Sequence, residues 1–208
     1  GAADPIRLDD ETAYTTFVSS MNEILSDYEY AFDGIDIDFE SSSLDFGSEW
    51  TIEEPSVGQQ YLIDAIRAIK ANYIAEKGKR MLLTMAPENI YLVGALSNWQ
   101  FTRSNGGAML PIIVEMEDDI DLLHTQFYNN YSSTIAIDGR SYLEGSGDFV
   151  VAITESILYG FDLPDGRGNY YGFDADKFAI GLPAGLCSAG RGYTAPEEVT
   201  KAIDYLRG

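Results

Sequence analysis

The run FDGIDIDFE at residues 32–40 constrains this chain more than any other segment. Along a β-strand, successive side chains point to opposite faces. Asp36, Asp38 and Glu40 therefore share one face, and Ile35, Ile37 and Phe39 share the other. On a solvated edge such an acidic row would need no explanation. Opposite an apolar face that packs under helices it is costly, because the carboxylates stand in line about 6.6–6.8 Å apart between successive Cα atoms and like charges resist joint ionisation. At least one proton should be shared among them near neutral pH. That arrangement keeps one carboxyl protonated as a general acid while a neighbour stays ionised. The residue types alone leave two other readings open, a magnesium or calcium site and a plain solvated face. Neither an EF-hand spacing nor a P-loop Gly-Lys-Ser/Thr accompanies them.

Around this strand, helix-like and strand-like segments alternate. Ala13, Phe17, Met21, Ile24, Leu25 and Tyr28 recur at helical spacing over 10–28. Tyr61, Leu62, Ala65, Ile66, Ile69 and Tyr73 form a second apolar stripe over 57–77, with Gly78 as its stop. MLLTMAP (81–87), IDLLHTQFY (120–128) and KFAIGLPA (177–184) read as buried strands, and 147–160 as a helix ending at Gly160. The last helix is expected to start at Thr194, with Glu197 completing a capping box, and to run to about Leu206. Residues 88–119 read as a long loop with one helix, and 161–175 as a Gly/Pro/Asp loop; long loops are often functional. Alternation with apolar strands argues for a parallel sheet covered by helices. A (β/α) barrel and an open doubly wound sheet both fit; four strands do not close a barrel, which needs eight.

Composition narrows the partners. The chain has 208 residues, in the range of one domain or part of one, and carries 13 Lys+Arg against 34 Asp+Glu, a net charge of −21. Such a surface repels phosphate backbones, which excludes nucleic acid and anionic membrane as expected partners. The single cysteine, Cys187, rules out an internal disulfide and reads as a small buried apolar residue. No apolar run is long enough to cross a membrane as a helix. The opening GAADPIRLDD lacks the basic end and apolar core of a signal peptide.

FDGIDIDFE also matches the Asp-Gly-x-Asp-x-Asp-x-Glu signature of family 18 glycoside hydrolases, the chitinase family, with Asp33, Gly34, Asp36, Asp38 and Glu40 all in place. TMAPE (84–88), LLHTQFYNN (122–130), AIGLPA (179–184) and GYTAPEEV (192–199) resemble later segments of secreted bacterial chitinases, in the same order. The resemblance spans nearly the whole chain. It implies an α/β (β/α)8 TIM barrel, of which residues 1–208 supply roughly the fourth to seventh βα units of one partial catalytic domain. The first three strands and the eighth have no counterpart here. Exposed barrel edges set independent folding and activity of these residues in question.

The resemblance implies hydrolysis of β-1,4-linked N-acetylglucosamine in chitin by a substrate-assisted, retaining route. Glu40 would act as acid and then as base, Asp38 would hold the acetamido N–H, Asp36 would share a proton with Asp38, and Tyr128 would donate to the acetamido oxygen. Asn129 is expected to hydrogen-bond the bound sugar, and Gln126, Met85 and Glu88 to line the pocket. Asp33 and Gly34 are structural members of the motif, and His124 a satisfied barrel-interior histidine. Trp50, Trp99, Tyr91 and Tyr131 are candidates for stacking on sugar rings. No metal and no cofactor is expected. The expected partner is chitin or a chitooligosaccharide, the state a monomer, and the location extracellular. Two alternatives share the acidic strand or the fold: an endo-β-N-acetylglucosaminidase acting on N-glycans, and a non-catalytic chitin-binding lectin. The retained acid at Glu40 weighs against the lectin.

Overall fold

The computed structural model describes residues 6–47, 49–96, 100–101, 104–130 and 134–208. The first helix, α1 (Glu11–Asp27), is capped by Asp10, whose side chain accepts from the Ala13 N–H at 2.8 Å. The chain then enters β1 (Gly34–Ile37), half the length of the apolar-acidic run. Helix α2 (Val57–Lys77) has the expected bounds. Ser56 and Gln59 form a reciprocal capping box at its start, and Gly78 closes it in the left-handed conformation at φ 69°. Strand β2 (Leu82–Met85) follows.

The long loop after β2 is more structured than its composition suggests. It holds two 3₁₀ turns (Asn89–Tyr91 and Val93–Leu96), a short hairpin of β3 (Gln100–Phe101) and β4 (Ser104–Asn105), and helix α3 (Leu110–Glu115). Strand β5 (Leu122–Gln126) comes next. It leads to a hairpin of β6 (Thr134–Ile137) and β7 (Arg140–Leu143). Asp138 and Gly139 form its tip with φ of 49° and 73°, the geometry that a two-residue hairpin turn requires. Helix α4 (Gly147–Tyr159), hairpin β8 (Phe161–Asp162) and β9 (Asn169–Tyr170), strand β10 (Phe178–Gly181) and helix α5 (Pro196–Leu206) complete the order.

Strands β1, β2, β5 and β10 form one parallel sheet in that spatial order. Neighbours in space are therefore neighbours in sequence. A doubly wound sheet reverses its strand order at a switch point, and this one does not. Sequential parallel strands with helical crossovers are the arrangement of a (β/α) barrel arc, here an open one. Register sets the faces. Asp36 lies beside Thr84, and Ile37 beside Met85. Ile37, Leu83, Met85, Leu123 and Phe127 point into the apolar layer and are buried with α2, α3 and α4. A second apolar group, Leu25, Ile69, Tyr73 and Met81, joins α1 to α2. Gly34 allows β1 and β2 to close up: a Cβ there would lie 2.2 Å from the Leu82 carbonyl oxygen.

Two local expectations are corrected. The last helix begins at Pro196, with Ala195 at its cap and no side-chain capping bond. Pro196 fixes φ for the first helical position and needs no partner for an N–H, so Thr194 sits one residue too early. Its hydroxyl donates instead to the Gly192 carbonyl at 3.4 Å. Cys187 is exposed, because it sits in the turn-rich stretch after β10 and not in a packed layer.

Candidate active site

The acidic row stands at the carboxyl ends of the parallel strands, where βα-barrels place their sites. Three neighbouring strands, β1, β2 and β5, contribute. From β1, Asp36 accepts from the Thr84 hydroxyl of β2 and meets His124 Nε2 of β5 at 2.8 Å. His124 faces the acids with a carboxylate partner for Nε2, on a side chain that is partly exposed. Asp36 is thus held by its strand neighbours. Asp38 and Glu40 lie just beyond the last ladder residue of β1, and the alternation continues through them. Gln126 proves it, since its Nε2 reaches Asp38 Oδ1 at 2.9 Å and Glu40 Oε1 at 3.1 Å. The same nitrogen reaches the Ala86 carbonyl at 2.8 Å. An amide has two N–H bonds for these three acceptors, so one hydrogen is shared. Gln126 is 5% exposed, a buried donor beneath two exposed carboxylates.

The electrostatics follow from crowding. Burial pushes the Asp38 carboxyl above its ordinary range, and the charges of Glu40 and Asp36 push it further; His124 and the Gln126 bond act the other way. Glu88 joins the group through its backbone, which bridges to Gln126 in parallel fashion. Burial raises its carboxyl to about 7, with Glu40, Asp38 and Glu144 adding to the effect and Arg191 opposing it. Burial likewise raises the Tyr128 hydroxyl, with the charges of Asp38, Glu40 and Glu88 behind it. Tyr128 therefore faces the acids as a firm proton donor. Within the acidic row, Asp38 is the carboxyl that this crowding raises; Glu88, outside the row, is raised to about 7.

Glu88 makes stability depend on pH. Its folded-state pKa lies above the unfolded value, so the folded chain binds more protons between about 4.5 and 7, and stability falls as pH rises through that window. Glu88→Gln removes the ionisation. It should be close to neutral at pH 4 and, after discounting for partial exposure, stabilising by about 2 kcal/mol at pH 8. Urea unfolding at the two pH values checks this; an equal effect at both would reject it.

The remaining expected residues divide. Met85 is fully buried beside Ile37 in the apolar layer, because its parity is opposite to that of Thr84. It does not join the acidic row. Asp33 pairs with Lys79 at 2.6 Å, which lowers its pKa, and its carbonyl accepts from Leu82 N–H, so its part is structural. Asn129 is exposed at φ 53°, and its Oδ1 accepts from the Arg191 N–H at 3.1 Å, tying it to the loop after β10. Trp50 and Tyr91 are 4% and 1% exposed, packed in the core and closed to a sugar ring. Arg167 covers the Trp50 ring at 4.5 Å. Trp99 and Tyr131 lie outside the described residues.

Sequence reasoning passed over Thr84, Asn130, Glu144 and Arg191. Asn130 is fully buried, and its Oδ1 accepts from Ile90 N–H at 3.2 Å. The signal for Glu144 was available in the alternating TIAIDGRSYL with its Asp-Gly turn, which marks the hairpin that carries it. Among the described residues, no three His, Cys, Asp or Glu side chains gather to hold a metal ion. Chemically, the arrangement offers a carboxyl that can give and take a proton, a second acid held beside it by an amide, and a phenol donor opposite.

No protein-family model matches the chain. It is 38% identical over 210 residues to chitinase D of Niallia circulans, a match covering 99% of this chain and 38% of that protein. It is 36% identical over 209 residues to exochitinase 1 of Streptomyces olivaceoviridis, covering 97% of this chain and 34% of that one. Endochitinase 4 of Metarhizium anisopliae is 33% identical over 210 residues, covering 100% of this chain and 68% of that protein. A crystal structure of a family GH18 chitinase from Chromobacterium violaceum superposes with a TM-score of 0.79 at 31% identity, over 98% of this chain and 50% of that one. The chain thus spans 38% of the length of its Niallia relative.

Proposed function

The chain belongs to the family 18 glycoside hydrolases, the chitinases, and on that premise we propose that its acidic row hydrolyses β-1,4-linked N-acetylglucosamine in chitin with retention of configuration. The observation that carries the reading is the single Gln126 amide that holds Asp38 and Glu40 together. Glu40 gives its proton to the glycosidic oxygen as the C1–O bond breaks. The carbonyl oxygen of the sugar's own 2-acetamido group attacks C1 from the opposite side, forming an oxazolinium ion. Asp38 accepts the acetamido N–H and stabilises the positive charge. Tyr128 donates its O–H to the acetamido oxygen. Glu40, now ionised, takes a proton from water, whose oxygen attacks C1 and reopens the ring with the original β configuration.

The occupant is a chitooligosaccharide. The N-glycan and lectin alternatives gain no support from relatives that are named as chitinases. No helix among the described residues is long and apolar enough to cross a membrane. We place the protein outside the cell and read it as a monomer, since a net charge of −21 opposes self-association. The test is incubation with chitin tetramer, with the products read by NMR before mutarotation. Early β-anomer is the expected result. Early α-anomer would reject the acetamido route.

A further inference from the structure

Glu144 is a buried carboxylate that the mechanism above does not use. Its side chain is 2% exposed, yet it keeps a charge partner: Arg191 Nε lies 2.9 Å from Oε2, on a side chain that is 41% exposed. Burying a carboxylate costs several kcal/mol unless it is paired and hydrogen-bonded. Here Oε2 has the charge partner and Oε1 the hydrogen bonds. The other oxygen, Oε1, accepts from the Asn130 backbone N–H and from Asn130 Nδ2, each at 2.8 Å. Asn130 Nδ2 in turn reaches the carbonyls of Gln126 and Tyr128 at 3.3 and 3.4 Å. The network therefore begins in the β6–β7 hairpin region and ends on the backbone of Gln126, the last residue of β5, and of Tyr128, two residues beyond it.

The loop after β10 closes it from the other side. Arg191 N–H donates to Asn129, and Gly192 lies so close that a Cβ there would stand 2.6 Å from Tyr128 Cα and 3.1 Å from Glu144 Cδ. Gly192 also has φ +85°, a conformation other residues resist. Tyr128 is thus gripped between its own strand end and the Arg191–Gly192 backbone, with the ion pair across the grip.

We propose that Glu144 is a positioning residue for this site, acting with Arg191 as a clamp that sets Tyr128 against Asp38 and Glu40. The inference rests on the glycosidase reading for its kinetic consequence and on geometry for the clamp itself. A neutral acceptor would satisfy Asn130 equally well. The charge is what recruits the loop after β10.

The test uses the full chain with chitin tetramer. Arg191→Met should lower kcat about tenfold, since small misplacements of reacting groups are costly, while KM moves less than about twofold. Its unfolding midpoint should fall, because Glu144 is left buried without its charge partner, so kcat is read well below that midpoint, on folded protein. Arg191→Lys should restore part of kcat, since its ammonium, one bond further along the chain than Nε, keeps a positive charge near Glu144. Glu144→Gln keeps the acceptor for Asn130 and should match Arg191→Met, with the double variant no worse than either single one. Parental kcat in Arg191→Met, losses that simply add, or a fall in kcat that only follows the unfolding midpoint would each overturn the clamp. Glu40→Gln, run alongside, separates the two readings: if it turns over normally, the glycosidase reading fails. Hydrogen exchange at the Asn130 amide then decides the clamp without activity. Faster exchange in Arg191→Met supports it, and unchanged exchange overturns it.

Discussion

Glu40→Gln is expected to lower kcat on chitin tetramer by at least about a thousandfold, at the strong end of what one general acid contributes. Affinity for the oligosaccharide should change by less than about threefold, because a glutamine amide fills the same space and still hydrogen-bonds. The asymmetry follows from the two jobs assigned to one carboxyl. Without its proton the leaving oxygen departs as a poor leaving group, and without the resulting carboxylate the water is not activated. The substitution also changes the neighbours. Gln126 Nε2 lies 3.1 Å from Glu40 Oε1, and an amide oxygen at position 40 can still accept from it. Asp38 loses one of the charges that raise its pKa, so it should titrate lower in the variant. Isothermal titration with chitin tetramer together with single-turnover kinetics checks both halves. Substantial cleavage of an unactivated oligosaccharide would reject the acid assignment.

Tyr128→Phe should lower kcat by about a hundredfold, the usual loss when one preorganised donor to a developing charge is removed. Ground-state affinity should fall far less. The hydroxyl faces three acidic groups, and burial with their charges raises its pKa, so it remains a donor throughout the working pH range. Its hydrogen bond should strengthen as charge reorganises in the acetamido group, which is the condition for raising kcat instead of merely lowering KM. Phenylalanine keeps the ring, and the Cα and Cβ that Gly192 approaches, while removing only the donor. Matched losses in kcat and in the affinity for a non-hydrolysed oligosaccharide would count against this role.

The acidic strand was readable because two periodicities coincide in nine residues. Parity alone put Asp36, Asp38 and Glu40 on one face, and Gln126 now spans two of them. Parity also put His124 and Gln126 together, and both meet the acids. The expectation that Met85 lines the pocket overlooked parity: Met85 and Thr84 point to opposite faces, and Thr84 is the one that meets Asp36. Composition was a poorer guide. Trp50 and Tyr91 resemble sugar platforms in a loop but are core residues, because aromatic surface is worth burying wherever a groove closes over it. The Glu144–Arg191 pair leaves no local mark: the two residues are far apart in the chain, and only the fold brings a hairpin and a distant loop together.

The bond between His124 and Asp36 joins residues 88 positions apart, and that between Gln126 and Glu40 joins residues 86 apart. Parallel pairing of this kind pays its chain-closure entropy before any contact rewards it. No early folding species that holds β1 and β2 alone can contain the site, because its central amide arrives with β5. The acidic row is therefore completed late in folding, no earlier than the docking of the third strand. A lesion that slows that docking would deplete active molecules during synthesis without touching a single reacting group.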